Sequence, residues 1–238
     1  MLKSGDSLTF LNLLNITFNS PFDIFIGIIF CLSLLNFIKF INKNFKIHKN
    51  ELINFSIIYF LIIYIFSQII FLITIVKFDY LVLRYFLYIF IIINLIFYKK
   101  NNYFSFFYKN IISHLSFRHR NRILLILILL FLISLSPASD VDSLDYHLGV
   151  PIQIIRDQIY KPDFYWIHSR VAGLGEFINL IGLSIGTKNL GSIIQFSSIL
   201  VLIKIYFYLK IKLNSKFNFY LLIFSCPLIF TFLNFQKI

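Results

Sequence analysis

Charge is scarce in this 238-residue chain: Asp, Glu, Lys and Arg together make up 13% of it, about half of what a soluble domain carries (about 25%). With 59% hydrophobic residues and a mean hydropathy of +0.84, that scarcity excludes an ordinary soluble fold and leaves a multispanning membrane protein. Cysteine is nearly absent. Cys31 and Cys226 both lie inside apolar runs, which argues against a disulfide framework and a thiolate metal site. His114 and His119 are five apart and lack the HExxH spacing of a zinc pair. The alternating pattern of a β-barrel is also missing, so helices must satisfy the backbone in lipid. The opening residues, MLKSGDSLTFLNLL, lack the basic flank, compact apolar stretch and small-residue cleavage site of a signal peptide, so the first span is expected to be retained. What is abundant is Ile, Leu and 31 Phe, a bias that A/T-rich codons also produce; a single Phe therefore says little about function.

The apolar runs predict an all-α, polytopic protein of about seven transmembrane helices, near 22–41, 52–76, 80–98, 123–139, 171–187, 189–209 and 217–235. The second is the cleanest. The third carries Arg84, expected to snorkel from the helix end. The fifth holds Glu176 together with Gly182 and Gly186, a GxxxG pair suited to close helix packing. Two basic connections set the orientation: 39–51, with Lys39, Lys43, Lys46 and Lys49, and 99–122, with Lys99, Lys100, Lys109, Arg118, Arg120 and Arg122. Both are expected on the cytoplasmic side, and the second to lie as an interfacial helix on anionic lipid. Strict alternation then puts Lys210, Lys212 and Lys216 outside as well; either the two early loops, which carry more charge and agree with each other, dominate and set the orientation, or segment 171–187 is re-entrant and does not cross. Residues 1–122 thus form an N-terminal set of membrane helices with basic cytoplasmic loops. The cations flank membrane segments and form no compact basic domain, so nucleic acid is not an expected partner; the lipid bilayer is.

Acidic residues, few overall, are concentrated. Five of the ten, Asp140, Asp142, Asp145, Asp157 and Asp163, fall in one extracytoplasmic connection, 140–170, beside Pro137, Pro151, Pro162 and the single Trp166. Asp142 and Asp145 are three apart, with Tyr146 and His147 adjoining; on a helix the two carboxylates share a face. Such a pair can hold a divalent cation through oxygen, or one member can act as a general base. A solvated, helix-capping acidic turn is the alternative reading. Segment 148–160 places Ile152, Ile154, Ile155 and Ile159 beside Gln153, Arg156 and Asp157, a pattern expected of a short helix lying on the bilayer. His168 and Arg170 are suited to a lipid phosphate. Glu176, inside an apolar run, needs a cavity or a partner.

The run Asp140-Val-Asp142-Ser-Leu-Asp145-Tyr146-His147, followed by an amphipathic segment, an aromatic Pro-containing stretch and Gly-Leu-Gly-Glu-Phe entering an apolar helix, resembles the first extracytoplasmic loop of GT-C-type integral membrane glycosyltransferases, the dolichyl-phosphate-mannose mannosyltransferase-like and bacterial lipid-linked-sugar branches among them. The resemblance implies that residues 123–238 form a GT-C-like region, with Asp142 or Asp140 as the essential loop acid and Asp145 as its neighbour. It implies a polyprenyl-phosphate-linked sugar as donor, catalysis at the extracytoplasmic face, and a place in the bacterial cytoplasmic membrane. In that reading Asp142, then Asp145 and Asp140, deprotonate the acceptor or hold a divalent cation; Tyr146, His147, His168, Arg170 and Glu176 bind substrate, and Arg170 and His168 neutralise the phosphate. The end at Ile238, where an apolar span closes, leads to the expectation of a truncated sequence or a minimal fragment. The competing expectation is a non-enzymatic membrane protein, such as a transporter part or a polysaccharide-assembly subunit.

Overall fold

The computed structural model describes residues 16–77, 79–98, 117–136, 147–162, 166, 170 and 172–213. Within them are seven α-helices and no strand: α1 Phe22–Asn44, α2 Glu51–Ile75, α3 Tyr80–Tyr98, α4 Phe117–Leu135, α5 Gly149–Asp157, α6 Leu174–Ile185 and α7 Leu190–Leu213. The expected spans 22–41, 52–76, 80–98 and 189–209 and the described part of 123–139 each fall on one of the longer helices, while 217–235 lies outside the described residues. Two of the helices, α1 and α2, are long and apolar enough to cross a membrane. Of the basic 99–122 segment, the part that is described, from Phe117 on, continues straight into α4.

The helices run alternately. The α1–α2 connection is closed by Asn54, whose carbonyl accepts the Ile47 and His48 N–H groups at 2.7 and 2.9 Å while its amide donates to Asn42 Oδ1 and the Phe45 carbonyl at 2.7 and 2.8 Å. Every donor and acceptor of that side chain is used, as a buried amide requires. Asn50 caps α2 by accepting from Leu52 N and Ile53 N and donates to Tyr208 near the end of α7 at 2.8 Å. At the opposite end Asn189, just before α7, donates to Leu135 O, the last residue of α4, at 2.8 Å. The start of α1 meets the start of α7 there, where a Cβ on Gly27 would stand 2.9 Å from Ile193 and 3.1 Å from Thr187. The bundle therefore has one end formed by the α1–α2 connection, the end of α3, the start of α4 and the end of α7. The other gathers the start of α1, the α2–α3 connection, the end of α4 and the start of α7.

Packing between α1, α2 and α3 is largely aromatic: Phe37 sits edge-on to Phe66 and Phe90, with centroids 6.5 and 5.5 Å apart, an arrangement favoured by the ring quadrupoles. Tyr59, fully buried, ties α2 to α7 through hydrogen bonds to Ile194 O, Ser197 and Ser198. The outward faces stay apolar and exposed, on α3 through Val82, Tyr85, Phe86, Ile89 and Ile96. Lys204 of α7 is buried, its ammonium 5.8 Å from the Phe55 ring centroid.

Helices α5 and α6 depart from the expected pattern. The isoleucines of α5 were expected to face lipid, yet Ile152, Ile154 and Ile155 are buried as α5 packs on α6. Helix α6 has 12 residues, about 18 Å at 1.5 Å per residue, against a hydrocarbon core of about 30 Å. Both of its ends lie near the same end of the bundle. Its first carbonyl, of Leu174, accepts from Ser67 in the last third of α2 at 3.0 Å, and its last carbonyls meet Arg84 and Tyr88 in the first half of α3. Helix α6 thus begins and ends in the same half of the bundle.

Candidate functional site

The site is built where α6 begins. Gly173 precedes the helix, and Glu176, three residues later, turns its carboxylate back so that Oε2 accepts the Gly173 N–H at 2.6 Å. This is the acidic half of a capping box. It satisfies a donor that the helix leaves unpaired and sets a negative charge at the positive end of the helix dipole. The other oxygen, Oε1, lies 2.8 Å from His147 Nδ1. Glu176 is 3% exposed and the His147 side chain 24%, so the carboxylate is enclosed while the ring reaches the surface.

One further hydrogen bond holds the pair, and Tyr160 packs into the same region. Asn179, one turn beyond Glu176 on the same face of α6, donates to the His147 carbonyl at 3.0 Å and fixes the backbone that carries the ring. Tyr160 N donates to Thr74 O, the end of α2, at 2.7 Å. Its ring packs edge-on to Phe71 and Phe177 with centroids 6.0 and 5.9 Å away. Burial first, and the Glu176 carboxylate second, push the Tyr160 phenol up from its usual value. The chain enters this region from α5, which ends at Gln158 in the left-handed conformation (φ 56°).

Chemically, this is a carboxylate–imidazole dyad. A buried carboxylate on Nδ1 orients the ring and selects the tautomer protonated at Nδ1, which leaves Nε2 as the proton acceptor. Of the residues expected to form a site, His147 and Glu176 are thus brought together, which supplies the partner that Glu176 needs. Arg170 is exposed. Asp140, Asp142, Asp145, Tyr146 and His168 lie outside the described residues, and with them the expected cation site; among the described residues no three His, Cys, Asp or Glu side chains group as metal ligands. Asn179 and Tyr160 were not expected to take part. Asn179 had a visible signal, a polar residue three positions after Glu176 in an apolar run, whereas nothing local in the sequence predicts the approach of Tyr160.

Residues 118–219 match the family described as the DUF1420 N-terminal domain. The matched stretch runs from the start of α4 past the end of α7 and includes both members of the dyad. No curated protein and no solved structure matches the chain.

Proposed function

We propose that this chain is a membrane glycosyltransferase, or part of one, that transfers a sugar from a polyprenyl-phosphate donor at the extracytoplasmic face, with His147 as general base and Glu176 as the carboxylate that orients it. The observation that carries the reading is the 2.8 Å contact between an enclosed carboxylate and a partly exposed imidazole. In the reaction, His147 Nε2 takes the proton of the acceptor hydroxyl as its oxygen forms the bond to the anomeric carbon. The bond from that carbon to the phosphate oxygen breaks, and the electron pair leaves with the polyprenyl phosphate. Arg170 and His168 lie between the two members of the dyad in the chain and suit the leaving phosphate. Of the two roles that the resemblance gives Asp140, Asp142 and Asp145, this reading moves the base to His147 and leaves them the holding of a divalent cation, and no step above runs through a cation.

The arrangement in the membrane follows from α6. Five helices, α1, α2, α3, α4 and α7, cross in this reading, and α6 enters and leaves at one face. Lys43, Lys46 and Lys49 of the first connection, Arg118, Arg120 and Arg122 at the start of α4, and Lys210 and Lys212 at the end of α7 then share the cytoplasmic side, and the conflict in the positive-inside pattern disappears. The dyad falls at the opposite, acidic face.

The test is transfer of labelled sugar from a polyprenyl-phosphate sugar into lipid-extractable or polymeric product, in vesicles holding the protein. Activity lost in both His147→Gln and Glu176→Gln at unchanged membrane level supports the reading. Wild-type transfer in both variants removes the dyad from catalysis and favours a non-enzymatic subunit.

A further inference from the structure

We propose that Arg84 and Tyr88 of α3 are positioning residues for the His147–Glu176 dyad, acting through α6 from its far end; the inference rests on the dyad being the working site. A helix that stops inside a bundle leaves its last four carbonyls without intrahelical donors, and each such group, buried and unpaired, is costly. All four are met here. Gly182 O accepts from Thr187 N at 2.9 Å and Leu183 O from Gly186 N at 3.0 Å, both within the turn that closes the helix. Ser184 O accepts from Arg84 Nε, and Ile185 O from Tyr88 Oη at 2.9 Å. The last two partners are side chains of another helix.

Arg84 does more than complete the count. Its guanidinium places positive charge at the negative end of the α6 dipole and reaches past it to donate to Ile16 O at 2.9 Å, so one side chain fastens α6 to the segment that leads into α1. That segment is also held directly: Phe18 N donates to Gly186 O at 2.9 Å. An arginine expected to snorkel toward water is instead committed to protein carbonyls. Because the α6 hydrogen-bond ladder makes the helix stiff, fixing its last turn fixes the register of its first, where Glu176 meets His147. Loosening the clamp should let α6 slide or tilt and open the 2.8 Å contact without removing either member of the dyad.

The experiment reads the imidazole itself and needs no activity. Protein labelled with 15N-histidine is placed in lipid nanodiscs, and the His147 signal is identified by its loss in His147→Gln. The wild type should show Nδ1 protonated and hydrogen-bonded, and Glu176→Gln should change that signature. Arg84→Met should move the signal toward that of Glu176→Gln, Arg84→Lys should restore it in part, and Tyr88→Phe should give a smaller change of the same sign. A wild-type signature in folded Arg84→Met overturns the proposal. Should Arg84→Met fail to fold, Arg84→Lys and Tyr88→Phe decide: wild-type signatures in both overturn it equally. Loss of transfer with an intact signature would concern the function proposed above and not the clamp.

Discussion

Helices α2 and α6 are both apolar, and for opposite reasons. α2 is 25 residues long, and its apolar side chains are largely exposed: Phe60, Leu61, Tyr64, Ile65, Ile69 and Leu72 all face outward. α6 is less than half as long, and from Glu176 to Thr187 every residue except Ile178 is buried. α2 is apolar because its surroundings outside the protein must be; α6 is apolar because its surroundings are protein. The difference shows in the polar residues each can carry. α2 keeps Ser56, Ser67 and Thr74 on its inner side, where backbone carbonyls accept from them, whereas α6 holds an ionisable group, Glu176, that only a protein-lined position can accommodate.

The largest effect that could break this contrast lies in the dyad. Replacing His147 by Gln or Glu176 by Gln should lower the transfer rate by about 10²- to 10⁴-fold, the usual worth of a positioned general base, measured with labelled donor in vesicles. A loss confined to His147→Gln would reduce Glu176 to a helix cap.

Next is the turn that stops α6. Gly186 has φ 95°, and a Cβ there would stand 2.4 Å from the Phe18 ring. Gly186→Ala should therefore destabilise the protein by about 1–2 kcal/mol from the left-handed backbone alone, and further through the displaced ring, read as a lowered unfolding midpoint in detergent. Adding Phe18→Ala should recover the steric part only.

A smaller effect tests the opposite end. Asn50→Ala removes the α2 cap, and its stability loss should be about 1 kcal/mol, measured by the same unfolding assay, with the dyad unaffected. Least of all, Arg156→Ala breaks an exposed ion pair with Asp157 (2.8 Å) and should change stability by less than about 1 kcal/mol.

The long helices were readable because each contains a sustained apolar run, in α1 and α2 long enough to cross a membrane and bounded by polar residues such as Asn44 and Asn50. Glu176 was readable as out of place, and His147 as a polar residue beside the acidic run. Their partnership was not, since 29 residues separate them and the contact depends on how α5 and α6 fold against each other. Arg84 misled for a related reason: from sequence a cation near a helix end reads as reaching for water, and only the termination of α6 in front of it supplies carbonyls instead. The Gly182/Gly186 pair divides its work. A Cβ on Gly182 would stand 2.8 Å from Leu190 Cβ, which is the close packing the motif suggests, but Gly186 serves the turn and not a helix face.

The central claim is that α6 enters and leaves at one face and so brings Glu176 to His147 there. Single cysteines at Gly175, Lys188 and Lys49, in a chain with Cys31 and Cys226 replaced by Ser, test it most directly when labelled in intact cells with an impermeant thiol reagent. Position 175 has open space for the new side chain. The account predicts that positions 175 and 188 react from outside and position 49 only after the membrane is opened; labelling of 175 and 188 from opposite sides would contradict it.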